Sequence, residues 1–146
     1  MNGSTAATTQ GNATVTPAAK QACALLTAAT IKTITGLDFA QGTPTPSTIN
    51  GSSCDFKSAK QEDQSTDLLL QVGIGKDFYP YTYFTPDPSV QSAGVGDQSY
   101  ILGAGSRSPN AGAVKGNVVV MISMNIPMPL TTDQVKALLK AVIDQW

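Results

Sequence analysis

The chain has 146 residues, 41% of them apolar and only 13% charged, with a net charge of −1 and no histidine. That apolar share suits one domain with a substantial core, and the low charge implies a surface built from Ser, Thr, Gln, Asn and Gly. Without a Lys/Arg stripe a nucleic-acid surface is excluded, and without histidine so is every His-based acid–base or nucleophilic scheme.

Residues 1–15, MNGSTAATTQGNATV, are small and polar. They cannot offset the entropy of ordering and read as a disordered tether, which leaves 16–146 as a single domain. MNGSTAATTQ also lacks the basic start and apolar core of a signal peptide, so the signal of an exported protein, and any lipid-accepting cysteine, would lie upstream. TPAAKQACALL opens the ordered part. Thr16 as N-cap, Pro17 at the first helical position and Ala22, Leu25 and Leu26 on one face predict a helix over 17–26. Thr27 caps a second helix, AATIKTITG, with Ile31 and Ile34 inward and Gly36 as the left-handed stop. Residues 40–53 read as loop by composition. CDFK then begins a strand, which sets Cys54 on a sheet and Cys23 on the helix that covers it.

The two cysteines, Cys23 and Cys54, are 31 positions apart. Two thiolates cannot complete a metal site when no histidine is there to join them, and the spacing is not that of a redox C-x-x-C pair. A disulfide is the better reading, with two buried free thiols as the alternative. Bonded, the pair would close a loop worth about 3 to 4 kcal/mol in the chain-entropy model, and such a bond persists only in an oxidising compartment. No metal or other cofactor is implied.

TDLLLQVGIGK, residues 66–76, is a clear strand. Leu68, Leu70, Val72 and Ile74 alternate with Leu69, Gln71, Gly73 and Gly75, so one face is apolar and the other mostly open. KDFYPYTYFTPDP follows at 76–88 and holds five of the nine aromatics. If extended, it sends Tyr79, Tyr81 and Tyr83 to one side and Phe78 and Phe84 to the other. The phenylalanines suit anchoring in a core or over the open face of strand 66–76. The tyrosines, with hydroxyls that want water or a partner, form the candidate ligand-binding row for sugars, peptides or partner proteins.

GVGDQSYILGAG reads as a tight turn entering a strand at Gln98 to Leu102. Its glycines serve turns rather than a phosphate loop, because no helix pattern follows. Asp87 and Asp97 lack the spaced ligand series of a calcium loop. AGAVKGNVVVMISMN is a hairpin turning at Lys115-Gly116-Asn117, with Val118, Val120, Ile122 and Met124 on one face. LTTDQVKALLKAVIDQW closes the chain as a one-sided amphipathic helix. Thr131 or Thr132 caps it, Asp133 suits its first turn, and Val135, Leu138, Leu139, Val142, Ile143 and Trp146 form the stripe. The most apolar segment, NVVVMISMNIPMPL, is broken by Pro127 and Pro129 and is too short to cross a bilayer. Helix, helix, about five strands and helix make an α+β domain: an antiparallel sheet covered on one face by the N-terminal helices and the C-terminal helix.

The ten acidic residues show no spacing that would pair two carboxylates for hydrolysis. The order CALLTAATIKTITG, loop, CDF, GVGDQSY, hairpin and final helix is similar to two-cysteine bacterial cell-envelope lipoprotein domains, abundant in actinobacteria. The match runs over roughly residues 22–146 through short motifs. The resemblance implies a Cys23–Cys54 disulfide, a secreted or lipid-anchored location, and a non-enzymatic binding or sensing role with no catalytic residues. The aromatic 78–84 segment departs from that pattern. The expectation is an extracytoplasmic domain, not an enzyme, that binds a small ligand or another envelope protein and touches a membrane only through a lipid anchor. The alternative is a structural or assembly module of the envelope acting as a homodimer through an exposed sheet face or edge.

Overall fold

The computed structural model describes residues 21–46, 51–60, 66–74 and 93–146. The fold is best built outward from its hairpin. In β5 (Asn110–Lys115) and β6 (Val118–Asn125), Lys115 faces Val118 across a two-residue loop, and Gly116 adopts φ 59°. A tight hairpin needs positive φ at that first loop position, which glycine reaches without a Cβ clash. β6 pairs on its other side with β3 (Asp67–Ile74), β3 with β2 (Gly51–Lys57), and β2 with β1 (Thr43–Thr45). β4 (Gln98–Leu102) completes the far edge against β5. Among the described residues the result is one six-stranded sheet, order β1-β2-β3-β6-β5-β4, with every pairing antiparallel.

The register lines up one apolar row across five strands: Cys54, Leu70, Ile122, Ala111 and Ile101, each no more than 2% exposed. Among the described residues, α1 (Ala22–Leu25) and α3 (Thr132–Ile143) sit on the sheet, and α2 (Ala28–Thr35) packs against α3 and joins the same core through Ile31. α2 has the predicted ends: the Thr27 hydroxyl accepts the Thr30 N–H, and Gly36 stops the helix at φ 77°. α3 begins with a full capping box. The Thr131 hydroxyl accepts the Gln134 N–H, and the Gln134 side chain accepts the Thr131 N–H. That exchange satisfies two N-terminal donors at once. Val135, Leu138, Leu139, Val142 and Ile143 are buried, as the stripe predicts. The α+β class and the helix-covered antiparallel sheet therefore hold.

Four details differ from the sequence expectation. The sheet has six strands rather than five, because Thr43–Thr45 forms an edge strand inside the expected 40–53 loop and β2 starts at Gly51 rather than Cys54. Pro44 is tolerated there since an edge position need not donate to a second neighbour. Of the helix expected over 17–26, the described part, from Gln21 onward, holds a single turn at Ala22–Leu25. Gln21 is extended at φ −75°, ψ 132°, Leu26 is extended as well, and the Ala22 N–H is taken by the Ser52 hydroxyl of β2 at 2.9 Å. Finally, the face away from the helices is not mostly open. Gly73 is buried there, with Val119 at 0%, Tyr100 at 2%, Val114 at 5% and Met121 at 6% exposed. The unbroken run Val118-Val119-Val120-Met121 supplies apolar side chains to both faces, as in strands buried on two sides. The expected tether at 1–15, with Thr16 and Pro17, lies outside the described residues.

Candidate functional site

The cysteine pair is the best-defined chemical feature. Cys23 on α1 is bonded to Cys54 on β2, with an S–S distance of 2.09 Å and Cα atoms 5.0 Å apart. Cys54 is fully buried between Pro44 of β1 and Leu70 of β3, whereas Cys23 is only partly buried. A cleft of about 350 Å3 opens beside the bond, lined by Cys23, Leu26, Ala28, Gln41, Gly42 and Phe56. Its walls are mostly small or apolar, with Thr27 and Gln41 as the polar members, and carry no charge.

A second cleft, of about 310 Å3, lies where the α2–β1 connection meets the loop after β6. Leu37, Pro127 and Met128 give it an apolar wall, and Asp38, Ser58 and Lys60 a polar one. Met128, between two prolines, is 53% exposed. Lys32 pairs with Asp38 at 2.7 Å. The hydrogen bond and charge of Lys32 hold the Asp38 carboxyl below its usual range, and Lys60 adds to the effect. Lys57 similarly clasps β2 to β3 by bridging Asp67 at 3.2 Å and Asp55 at 3.3 Å. Hydrogen bonds that it donates to Asp67 and then Asp55 raise its pKa. These are exposed charge pairs in water, suited to surface contacts and to modest effects on stability.

The glycine-rich stretches fold on themselves. In the 103–108 loop, Gly105 N–H donates to the Leu130 carbonyl and Ser106 N–H to the Gly103 carbonyl, while Ser108 N–H goes to the Ser106 hydroxyl. Amides spent in this way leave no cradle for a phosphate. Asp97 is occupied too: its carboxylate accepts the Gly116 N–H at 2.7 Å and its own N–H donates to the Val114 carbonyl. It thus braces the β5–β6 turn. Among the described residues no three of His, Cys, Asp or Glu gather as a metal-binding group, and no helix is long and apolar enough to cross a membrane.

One feature was not legible beforehand. On the face away from the helices, the Tyr100 hydroxyl donates to the Asn110 side-chain carbonyl at 2.8 Å, and Asn110 donates to the Ser123 hydroxyl at 3.1 Å. Tyr100 faces Gly112 across the β4–β5 ladder. Only the register could reveal that pairing. The proposed ligand-binding row, Tyr79, Tyr81 and Tyr83, and its companions Phe78 and Phe84 lie outside the described residues. The structure thus unites Cys23 with Cys54 and leaves the tyrosine row to experiment. Compared with protein-family models, curated proteins and solved structures, the chain has no match.

Proposed function

We propose that this chain is a non-catalytic extracytoplasmic binding or sensing domain of a secreted protein or lipoprotein. The observation that carries the reading is the Cys23–Cys54 bond, which ties the first helix to the sheet inside the core. A structural disulfide is stable in an oxidising compartment and is undone by the cytosolic thiol pool. One further point supports the role: the sequence order resembles cell-envelope lipoprotein domains. Tyr79, Tyr81 and Tyr83 form the proposed contact row, because tyrosines on a proline-stiffened segment offer large amphipathic area at low entropic cost.

A thermal-shift screen of envelope sugars, lipids and peptides tests the proposal. A hit should stabilise the protein and lose affinity in Tyr81→Ala, while Tyr81→Ala alone folds as the parent does. A ligand whose affinity Tyr81→Ala leaves unchanged would move the site elsewhere. A stable dimer by light scattering, with no ligand response across the screen, would favour the assembly role instead.

A further inference from the structure

The two sulfurs of the disulfide are unequal, and the inequality has a chemical consequence. Cys54 has no exposed surface. Gly42 covers its sulfur so closely that a Cβ on Gly42 would fall 2.3 Å from it and 2.7 Å from the Phe56 ring. Cys23 is partly buried on a one-turn helix and lines the cleft of about 350 Å3, which Cys54 does not line. Thiol–disulfide exchange needs a thiolate to reach the attacked sulfur, and the other sulfur departs. Only Cys23 can be reached from the cleft.

We propose that Cys23 is the sulfur through which this disulfide is made and broken, and hence the site where an extracytoplasmic disulfide oxidoreductase forms its mixed disulfide with the folded protein. This rests on the bond itself and not on the binding role. In the reducing direction a thiolate RS⁻ attacks the Cys23 sulfur. An R–S–S–Cys23 bond forms, the Cys23–Cys54 bond breaks, and Cys54 leaves as a thiolate that takes up a proton from solvent. A second RS⁻ then releases R–S–S–R and the Cys23 thiolate, so two electrons enter the protein. Oxidation retraces these steps by microscopic reversibility. The Cys23 thiolate attacks the partner's disulfide, and Cys54 resolves the mixed disulfide and expels the partner thiolate. The leaving Cys54 thiolate is born in apolar surroundings that disfavour its charge, which makes reduction of the folded protein slow. The uncharged cleft walls, with Ala28 and Gln41 among them, suit a partner that presents its sulfur on an uncharged segment.

The test uses the native protein and glutathione. Glutathione is raised until adduct is detectable, exchange is quenched with acid, the remaining thiols are alkylated with N-ethylmaleimide in denaturant, and the two cysteines are mapped by mass spectrometry. The expected product carries glutathione on Cys23 and maleimide on Cys54, in excess of the reverse pattern by about ten-fold or more. Equal labelling would mean that exchange passes through unfolded chains, and glutathione on Cys54 would mean that the reachable sulfur is the other one. Either overturns the proposal. Single-cysteine variants give a second reading. Under native conditions, the Cys23 thiol left by Cys54→Ala should react with a chromogenic disulfide. The Cys54 thiol left by Cys23→Ala should react only after denaturant is added.

Discussion

α1 and α3 cover the same sheet by opposite means. α3 runs for 12 residues, buries five side chains, opens with a capping box and places Asp133 where the helix dipole favours negative charge. α1 has four residues, no side-chain cap and extended backbone at both ends. A single turn does not persist on its own, since helix nucleation is unfavourable and α1 has no length over which to recover it. It is held from outside: by the disulfide, by the Ser52 hydroxyl at its first amide, and by the Gln145 side chain, which donates to the Leu25 carbonyl at 2.6 Å. The turn that ends the long helix thus helps to hold the short one. An amphipathic stripe lets a helix pack by its own sequence; a short apolar turn needs a covalent anchor to do the same.

The largest way to break that comparison is through α3. Leu139 is fully buried against the sheet, and Leu139→Ala should cost about 4 kcal/mol as a cavity mutation, read by urea denaturation. A loss below about 0.5 kcal/mol would mean that the stripe does not face the core. Next is the staple. Replacing both cysteines by alanine should remove about 3 to 4 kcal/mol, with the slope against denaturant raised, because the unfolded chain without its cross-link exposes more surface. Amide exchange separates the two helices more sharply: without the bond, α1 should lose protection well before α3 does. Equal loss would show that the sheet and both helices open as one unit. The Thr131→Ala variant is smaller still. Removing the hydroxyl of the capping box should cost about 1 kcal/mol and leave the fold unchanged by circular dichroism.

The same contrast governs what was legible in the sequence. α3, the β5–β6 hairpin and β3 could be read because each carries its own periodicity over at least six residues, or a turn whose glycine is required. The pairing of Cys23 with Cys54 was legible by elimination. β1 was not, because Thr43-Pro44-Thr45 has no apolar alternation and becomes a strand only by pairing with Ser53, Cys54 and Asp55. The start of α1 was misplaced because a hydroxyl from β2, far away in sequence, meets the Ala22 amide. The buried second face was missed because Leu69, Gln71 and Gly73 were weighed within β3 alone, whereas Val119 and Met121 of β6 stand directly beside them. Local signals revealed elements that hold themselves together. Elements held by distant partners needed the register. The same divide applies to function: the disulfide is chemistry visible in two residues, while a binding surface is a property of their assembly.

The smallest effect concerns the ion pair that follows α2. Lys32 meets Asp38 at 2.7 Å, but both side chains are largely in solvent, at 61% and 45% exposure. The Asp38 carboxyl is held below the ordinary carboxylate range chiefly by the Lys32 hydrogen bond, then by its charge. A carboxylate depressed in the folded state stabilises the fold above its unfolded pKa and loses that contribution as pH falls through the folded value. Lys32→Ala should therefore move the Asp38 titration, followed by carboxyl-carbon NMR, upward toward the ordinary range. Lys60, the weaker neighbour, should keep part of the depression. The matching change in stability should appear at neutral pH, fade in acid, and shrink with added salt as screening takes over. An Asp38 titration that does not move would remove the pair from the forces on the N-terminal half, leaving the disulfide and the Ser52 and Gln145 hydrogen bonds to hold α1 in place.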